Sequence, residues 1–547
     1  MYPTYGMIAS HLCFIRKPDE SSIGPFVVMQ MPLILNHEVQ RFVHGLKSVE
    51  HNILPVKGKF LVKLVPTAEV DLRSEPYLVL SHVWGDTNSS FKTLKSTVSR
   101  YQKVGIDFNI LPKTFQDAVR ITAAIGVEYI WIDSLCIIQD YEEDWQHEST
   151  KMAAIYHMAT VTLSATSANN GDGGCGLDTD FGQIMRFCNT PGGIPGFAAR
   201  EITESIPSPA TMLKGQLRNS PVNRRGWILQ EQQLSRRILH AMDSQFVWEC
   251  GMITESEDGT VYEQGRNSSM VKSLGRPDNG IRQSPYNDAD YHLDIYNSGY
   301  PWWKCLVDYS SRSLSRPEDQ YAALAGIVQF RHKITGDLPV VGLWEQYLAI
   351  HLAWGVYHNP REHSVPLWNA ACRRPSWTWM TFQHGSVKLL HPISWPVLQS
   401  VGSREGDLGI IYQAHVLHTN VRWSGRPLIS DPTRSTIRVR GMIHCRPRPK
   451  PVRHGVLSPL HLDPGVPEQT DANAEYSALA LFTYVQSAAL TNQPPFATTV
   501  YLIIQATNLE DDDEYMRIGR MQLTEPFEMN RRHGYLPEGV ERVITLV

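Results

Sequence analysis

Two acidic side chains stand where they could share one piece of chemistry. Asp133 ends the apolar run Tyr129, Ile130, Trp131 and Ile132 and is followed by Ser134. Glu231 lies four residues after Trp227, a spacing that sets both on one face of a helix. A carboxylate held beside a sugar ring can orient its hydroxyls and stabilise an oxocarbenium-like transition state. A third polar group, Ser81, His82, Trp84, Gly85 and Asp86 of the segment SHVWGD, follows another apolar run. Each residue also has a plainer use. Trp84 and Trp131 serve equally as core aromatics, Asp133 and Ser134 as caps of neighbouring turns, and His82 as the filling of a loop; Glu231 would then pair with Arg225 or Arg236.

Other candidate signals fail on their surroundings. GDGGCG at 171–176 fits the spacing of a dinucleotide turn, yet LDTDFG follows it in place of an amphipathic helix. Cys136 with His82 would make a nucleophile and base, but Cys136 sits inside an apolar run, where a thiol is inert. The 21 histidines are scattered without a zinc spacing, and no GxSxG elbow occurs. The residues therefore imply no metal and no resident cofactor.

The elements that must position these groups read as an α/β series. Tyr77–Leu80, Tyr129–Ile132 and Thr160–Ala165 have the profile of strands buried on both faces, with Leu135 to Ile138 resuming the second run after Ser134. Between them LPKTFQDAVRITAAIG predicts a helix with Pro112 in its first turn and Gly126 just past its end, and YEEDWQHESTKMAAIYHMA predicts another. Helices of crossover length between strands predict a doubly wound, mainly parallel sheet. Its carboxyl edge would carry Ser81 to Asp86, Asp133 and Ser134. RRGWILQEQQLSRRIL reads as a helix from Trp227 onward, and Gln245–Cys250 as a returning strand. The carboxylates of Asp133 and Glu231 are then expected in one solvent-accessible cleft near His82–Asp86.

Length and composition place this series in a larger protein. The chain has 547 residues, too many for one ordinary core. We divide it into an N-terminal extension (1–75), the α/β domain (76–255, core motifs 77–232), a polar linker (256–298), a helical region (299–384) and a β-rich C-terminal region (385–547). The extension holds a helix at His37–Val49 and a strand at Phe60–Val65. The helical region holds a capping box at Ser315–Glu318 and an amphipathic helix at Leu343–Trp354. A net charge of -4 advertises no nucleic-acid partner, and no apolar run is long enough to span a membrane. Eight cysteines without a regular framework and no secretory leader point to a reducing, cytoplasmic setting.

SHVWGD, LPKTFQDAV, YIWIDSLCIIQD, the DW at 144–145, MAAIYHMAT and RRGWILQE stand in the order and spacing of the fungal heterokaryon incompatibility (HET) domain, which this chain resembles. WWKCLVDYSSRSLS, EDQYAALAGI, GLW and RRPSWTW are similar to the region that follows that domain in fungal proteins. The resemblance implies a cytoplasmic inducer or regulator of programmed cell death, acting through protein partners or self-association. His82 departs from the tyrosine frequent in the family. The Trp227-x-x-x-Glu231 spacing in turn resembles the catalytic glutamate helix of TIR domains, some of which cleave NAD. That likeness implies Glu231 and Asp133 as catalytic residues. It also implies NAD or a related nucleotide as substrate, with Ser81, His82, Trp84, Gly85, Asp86, Ser134 and Trp227 around it. Two readings stay open: an NAD(P) glycohydrolase and a non-enzymatic interaction module.

Overall fold

Runs that are apolar on both sides fold as strands covered on both faces, and three of them organise the first unit of this protein. In the computed structural model the chain divides into two units, Met1–Gly275 and Arg276–Val547. The described residues are mainly 61–67, 75–85, 91–176, 219–243, 245–250, 300–357, 374–382, 410–445, 476–486, 496–507, 513–526 and 538–547, with shorter strand segments between them. The expected helix at His37–Val49 lies outside them.

The strands of the first unit's main sheet are, in chain order, β1 (His11–Ile15), β2 (Leu61–Pro66), β3 (Tyr77–Ser81), β4 (Ile106–Asp107), β5 (Tyr129–Ile132), β6 (Val161–Ser164), β7 (Arg237–Ala241), β8 (Phe246–Cys250), β9 (Thr254–Ser256) and β10 (Val261–Tyr262). They form a sheet ordered β10-β9-β8-β7-β6-β3-β5-β1-β2-β4. β3 pairs in parallel with β5 on one side and β6 on the other, and β6 pairs in parallel with β7. Antiparallel strands extend both edges: β8 pairs with β7, and β1 with β5. Leu78, Val79, Leu80, Ile130, Trp131, Val161 and Leu163 are fully buried in the parallel centre. The expected strand triplet is therefore present, with β3 in the middle.

The crossovers carry α1 (Val98–Lys103), α2 (Lys113–Ala124), α3 (Asp133–Cys136), α4 (Glu142–Ser149), α5 (Met152–Met158) and α6 (Gly226–Leu234). Pro112 caps α2, and Gly126 follows it at φ +79°, a conformation that suits glycine. Three local expectations need correction. After Ile132 the chain turns into α3 and does not resume a strand, because Asp133 and Ser134 start a helical turn. The helix expected over 142–159 is two, α4 and α5. The helix from Trp227 stops at Leu234: extended Ser235 turns its hydroxyl back onto the Glu231 carbonyl (2.6 Å), and Ile238 and Leu239 go into β7, buried on both faces.

GDGGCG is also explained. Its backbone wraps the start of α2: Thr114 donates its amide to the Gly171 carbonyl (2.8 Å), and the Cys175 amide donates to buried Asp117 (2.9 Å). A side chain on Gly174 would meet Asp117 at 2.7 Å, so glycine lets this loop pack against the start of α2.

The second unit begins with α7 (Tyr300–Ser310) and α8 (Ala322–Thr335). The helix expected at Leu343–Trp354 is instead a hairpin, β11 (Pro339–Val340) with β12 (Leu343–Trp344), followed by the short helix α9 (Leu348–His351). The tight turn at Val341 (φ 42°) and Gly342 (φ +80°) breaks the helical pattern. The Gly342 carbonyl accepts from both Trp302 and Trp379 indoles (3.1 Å each), and its amide donates to Tyr321 (2.8 Å). WWKCLV, EDQYAA, GLW and RRPSWTW thus meet around one turn.

The β-rich remainder closes into a barrel. Its strands are β13 (Gly355–Tyr357) and β14 (Lys388–Leu390), which pair apart, then β15 (Ile411–Tyr412), β16 (His415–Trp423), β17 (Pro432–Cys445), β18 (Ser477–Gln486), β19 (Phe496–Ala506), β20 (Glu514–Pro526) and β21 (Val540–Leu546), besides the two-residue strand His461–Leu462, which pairs with β20. β17 through β21 pair in sequence and β21 returns to β17, so five strands make a ring; β15 and β16 extend it.

Candidate active site

Numbering only the parallel strands in chain order, the centre of the sheet reads 2-1-3-4, the flavodoxin-like order, in which ligands bind where the order reverses. That point lies between β3 and β6. Ser81 at the end of β3 stands opposite Ser164 at the end of β6, and Ser164 opposite His240 near the end of β7. In-register parallel residues point to one face, so these three share a polar row. α6 lies over that same face of β6. Thr162, two residues before Ser164, meets the Ser235 hydroxyl (2.6 Å), which in turn donates to the Glu231 carbonyl (2.6 Å).

Asp133 begins α3, where helix amides favour negative charge. Its Oδ1 accepts from the Ser134 amide (2.7 Å) and its Oδ2 from the Trp84 indole (2.8 Å). His82 Nδ1 stands 3.7 Å from Oδ1, close enough for attraction and too far for a hydrogen bond. Phe115 of α2 meets the His82 ring edge-on, with centroids 5.1 Å apart. Arg225 completes the cluster by donating to the His82 carbonyl and lying 5.9 Å from the Trp84 ring centre. Burial pushes the His82 imidazole down to about 4; Asp133 opposes that shift and Arg225 adds to it. His82 is consequently neutral near pH 7.

Glu231, on α6, is only 2% exposed. Burial pushes its carboxyl up to about 7, and the charge of Asp133 pushes the same way. Arg225 and the hydroxyls of Ser81 and Tyr156 act in the opposite direction. Even so, Ser81 Oγ and Glu231 Oε2 lack hydrogen-bond geometry to any group. The Tyr156 phenol is held far above its usual range, chiefly by burial and then by Glu231 and Asp133. Ser81 Oγ, His82 Nδ1, Ser134 Oγ and Glu231 Oε2 are buried polar atoms without a partner, a concentration that natural interiors avoid unless a site needs it.

The structure thus brings Asp133, Ser134, Ser81, His82, Trp84 and Glu231 into one electrostatically coupled cluster. The expectation of an open cleft fails at Glu231, because α6 packs down on the sheet and covers the side chain. Trp227 is half-buried and meets Trp145 edge-on at 6.5 Å. Gly85 has φ +74°, and a side chain there would meet Asn170 Cβ at 2.7 Å, so glycine is what lets the loop pass Asn170. Asp86 lies outside the described residues. Sequence reasoning did not assign Arg225 or Tyr156 to the site. Arg225 directly precedes the helix of Glu231, and Tyr156 lies in MAAIYHMAT, so both had a signal in their motifs.

Residues 77–231 match the family described as heterokaryon incompatibility protein (HET). The chain carries a HET domain. The match starts on the first residue of β3 and ends on Glu231, so it includes Asp133 and every described residue of the cluster. A HET domain points the chain to heterokaryon incompatibility. Searches of curated proteins and of solved structures return no match. Among the described residues no helix is long and apolar enough to cross a membrane, and no group of three or more His, Cys, Asp or Glu is placed to hold a metal ion.

Proposed function

We propose that the HET domain induces heterokaryon-incompatibility cell death by cleaving the bond between nicotinamide and ribose in NAD or NADP. Glu231 supplies the negative charge that stabilises the oxocarbenium-like ribose as nicotinamide departs, and water completes the hydrolysis to ADP-ribose or its phosphate. Asp133, fixed by Trp84 and Ser134, adds a second carboxylate beside it. Ser81, His82, Trp84, Gly85, Asp86 and Ser134 form the binding set, and Trp227 walls the nicotinamide side. The observation that carries the reading is Glu231 itself: a buried carboxyl raised to about 7, with an unpartnered oxygen, coupled to Asp133 and to Ser81, which ends β3 where the strand order reverses. Such a carboxyl is poised near working pH, and the positive charge of a bound nicotinamide ring favours its anion.

Two observations favour a second reading, an interaction module that kills through protein partners or self-association. Glu231 is 2% exposed, and both Asp133 oxygens are already bonded within the chain. A single experiment separates the two. The full chain and its Glu231→Gln variant are expressed in a fungal cell, with cell death and NAD followed together. Enzymatic action predicts that the wild type kills and depletes NAD while the folded variant does neither. Killing by both with NAD unchanged assigns the function to binding.

A further inference from the structure

Beside the carboxylate cluster, on the same edge of the sheet, lies a second set of polar groups that the proposed chemistry does not use. Glu249 Oε2 of β8 meets His240 Nε2 at 3.0 Å. The other ring nitrogen of His240 meets Thr166 Oγ1 at 3.1 Å, and Thr166 Oγ1 meets Ser164 Oγ at 3.0 Å. Ser164 and Thr166 are fully buried and His240 is 2% exposed, whereas the Glu249 side chain is 20% exposed. The chain of contacts therefore starts in the core and ends at water. Its buried end, Ser164, is the register partner of Ser81, on neighbouring strands about 4.8 Å apart. Ser81 Oγ has no partner that fixes it and its hydroxyl acts on the Glu231 carboxyl, so this rotor neighbours both Ser164 and Glu231.

We propose that Ser81, Ser164, Thr166, His240 and Glu249 form a proton relay between the covered carboxyl of Glu231 and solvent. Each member can pass a proton on while receiving one. Glu231 gives its proton to Ser81 Oγ, whose own proton moves to Ser164 and that of Ser164 to Thr166. Thr166 protonates His240 Nδ1, and the Nε2 proton leaves to Glu249 and then to water. Glu231 ends as the anion, each hydroxyl regains its proton count, and His240 is left protonated on Nδ1; the reverse passage, from water through Glu249 to Nε2, restores both His240 and Glu231. A carboxyl covered by α6 otherwise exchanges only when the domain opens locally, a far rarer event. The relay deepens the preceding reading, on which its use in catalysis rests, but its operation is measured without nucleotide.

The test follows the carbonyl stretch of protonated Glu231 by infrared spectroscopy in the full chain, assigned by its absence in Glu231→Gln, after rapid dilution into heavy water at pH 6. Thr166→Val removes one hydroxyl at nearly constant volume, Thr166→Ser retains it, and Glu249→Gln removes the partly exposed acceptor. The relay predicts that Thr166→Val and Glu249→Gln slow deuteration of Glu231 at least about tenfold, towards the rate of local opening, with Thr166→Ser near wild type. Wild-type exchange in either slow-predicted variant overturns it. So does equal slowing in Thr166→Ser, which would mark a packing effect, or the absence of any Glu231 band at pH 6. A failure of NAD cleavage with the exchange pattern intact would sink the glycohydrolase reading and leave the relay standing. If Thr166→Val does not fold, Glu249→Gln decides, since its side chain is partly exposed.

Discussion

Replacing Glu231 by glutamine should make the first unit more stable at high pH, by an amount that follows from its burial. The carboxyl stands at about 7 in the fold against 4.5 in its ordinary state. Between those values the folded state holds a proton that the unfolded state has lost, so stability falls as pH rises through this window. A shift of that size corresponds to about 3 kcal/mol, fully developed above pH 7. His82 works in the opposite sense. Its folded value of about 4 lies below 6.5, so the unfolded state takes up a proton that the folded state refuses, and stability is lost as pH falls from 6.5 to 4. In the wild type the two slopes oppose each other between about 4.5 and 6.5. Glu231→Gln removes one slope and exposes the other. Hydrogen exchange of the β3, β5 and β6 amides reads this unit without the second. The variant-to-wild-type ratio of protection should grow on the order of 100-fold between pH 4.5 and 8. A ratio that does not change with pH would refute the burial argument, because any packing effect of the amide is independent of pH.

Further outcomes follow from particular contacts. Trp84→Phe removes the indole donor to Asp133 and should lower the stability of the first unit by about 1–3 kcal/mol, read by the same exchange measurement. Gly85→Ala places a side chain at φ +74° against Asn170 and should cost about 1–3 kcal/mol, with the loss appearing as faster exchange at β3. In the second unit Arg517 is fully covered, paired with Asp463 (2.8 Å) and bonded to the Leu352 and Trp354 carbonyls. Arg517→Ala strands the buried carboxylate and should lower the stability of the barrel by about 3–5 kcal/mol, measured by denaturant-dependent exchange at β17 to β20.

The parallel centre was legible because β3, β5 and β6 are covered on both faces, and such strands announce themselves as unbroken apolar runs. β7 was not, because Arg236 to Leu239 continues the composition of the preceding helix and only the turn of Ser235 separates them. The strands of the barrel show alternation, as in Ile437, Val439, Gly441 and Ile443, yet ring closure depends on the pairing of β21 with β17, which no local pattern encodes. At the site, Asp133 and Ser81 to Gly85 follow from the rule that strand ends carry function, and Glu231 from its spacing to Trp227. The depth of Glu231 does not follow, since it is set by how α6 settles on β6 through Thr162 and Ser235. Arg225 enters the cluster for the same long-range reason: its partner, the His82 carbonyl, lies far away in the chain.

The central claim is tested most directly by incubating the purified full chain with NAD, concentrated enough to self-associate, and separating the products by chromatography. The glycohydrolase account predicts release of nicotinamide in step with loss of NAD, and a fall of at least about 3 kcal/mol in catalysis, on the order of a hundredfold in rate, for Glu231→Gln. No nicotinamide from the folded wild type, or equal release by the variant, would contradict it.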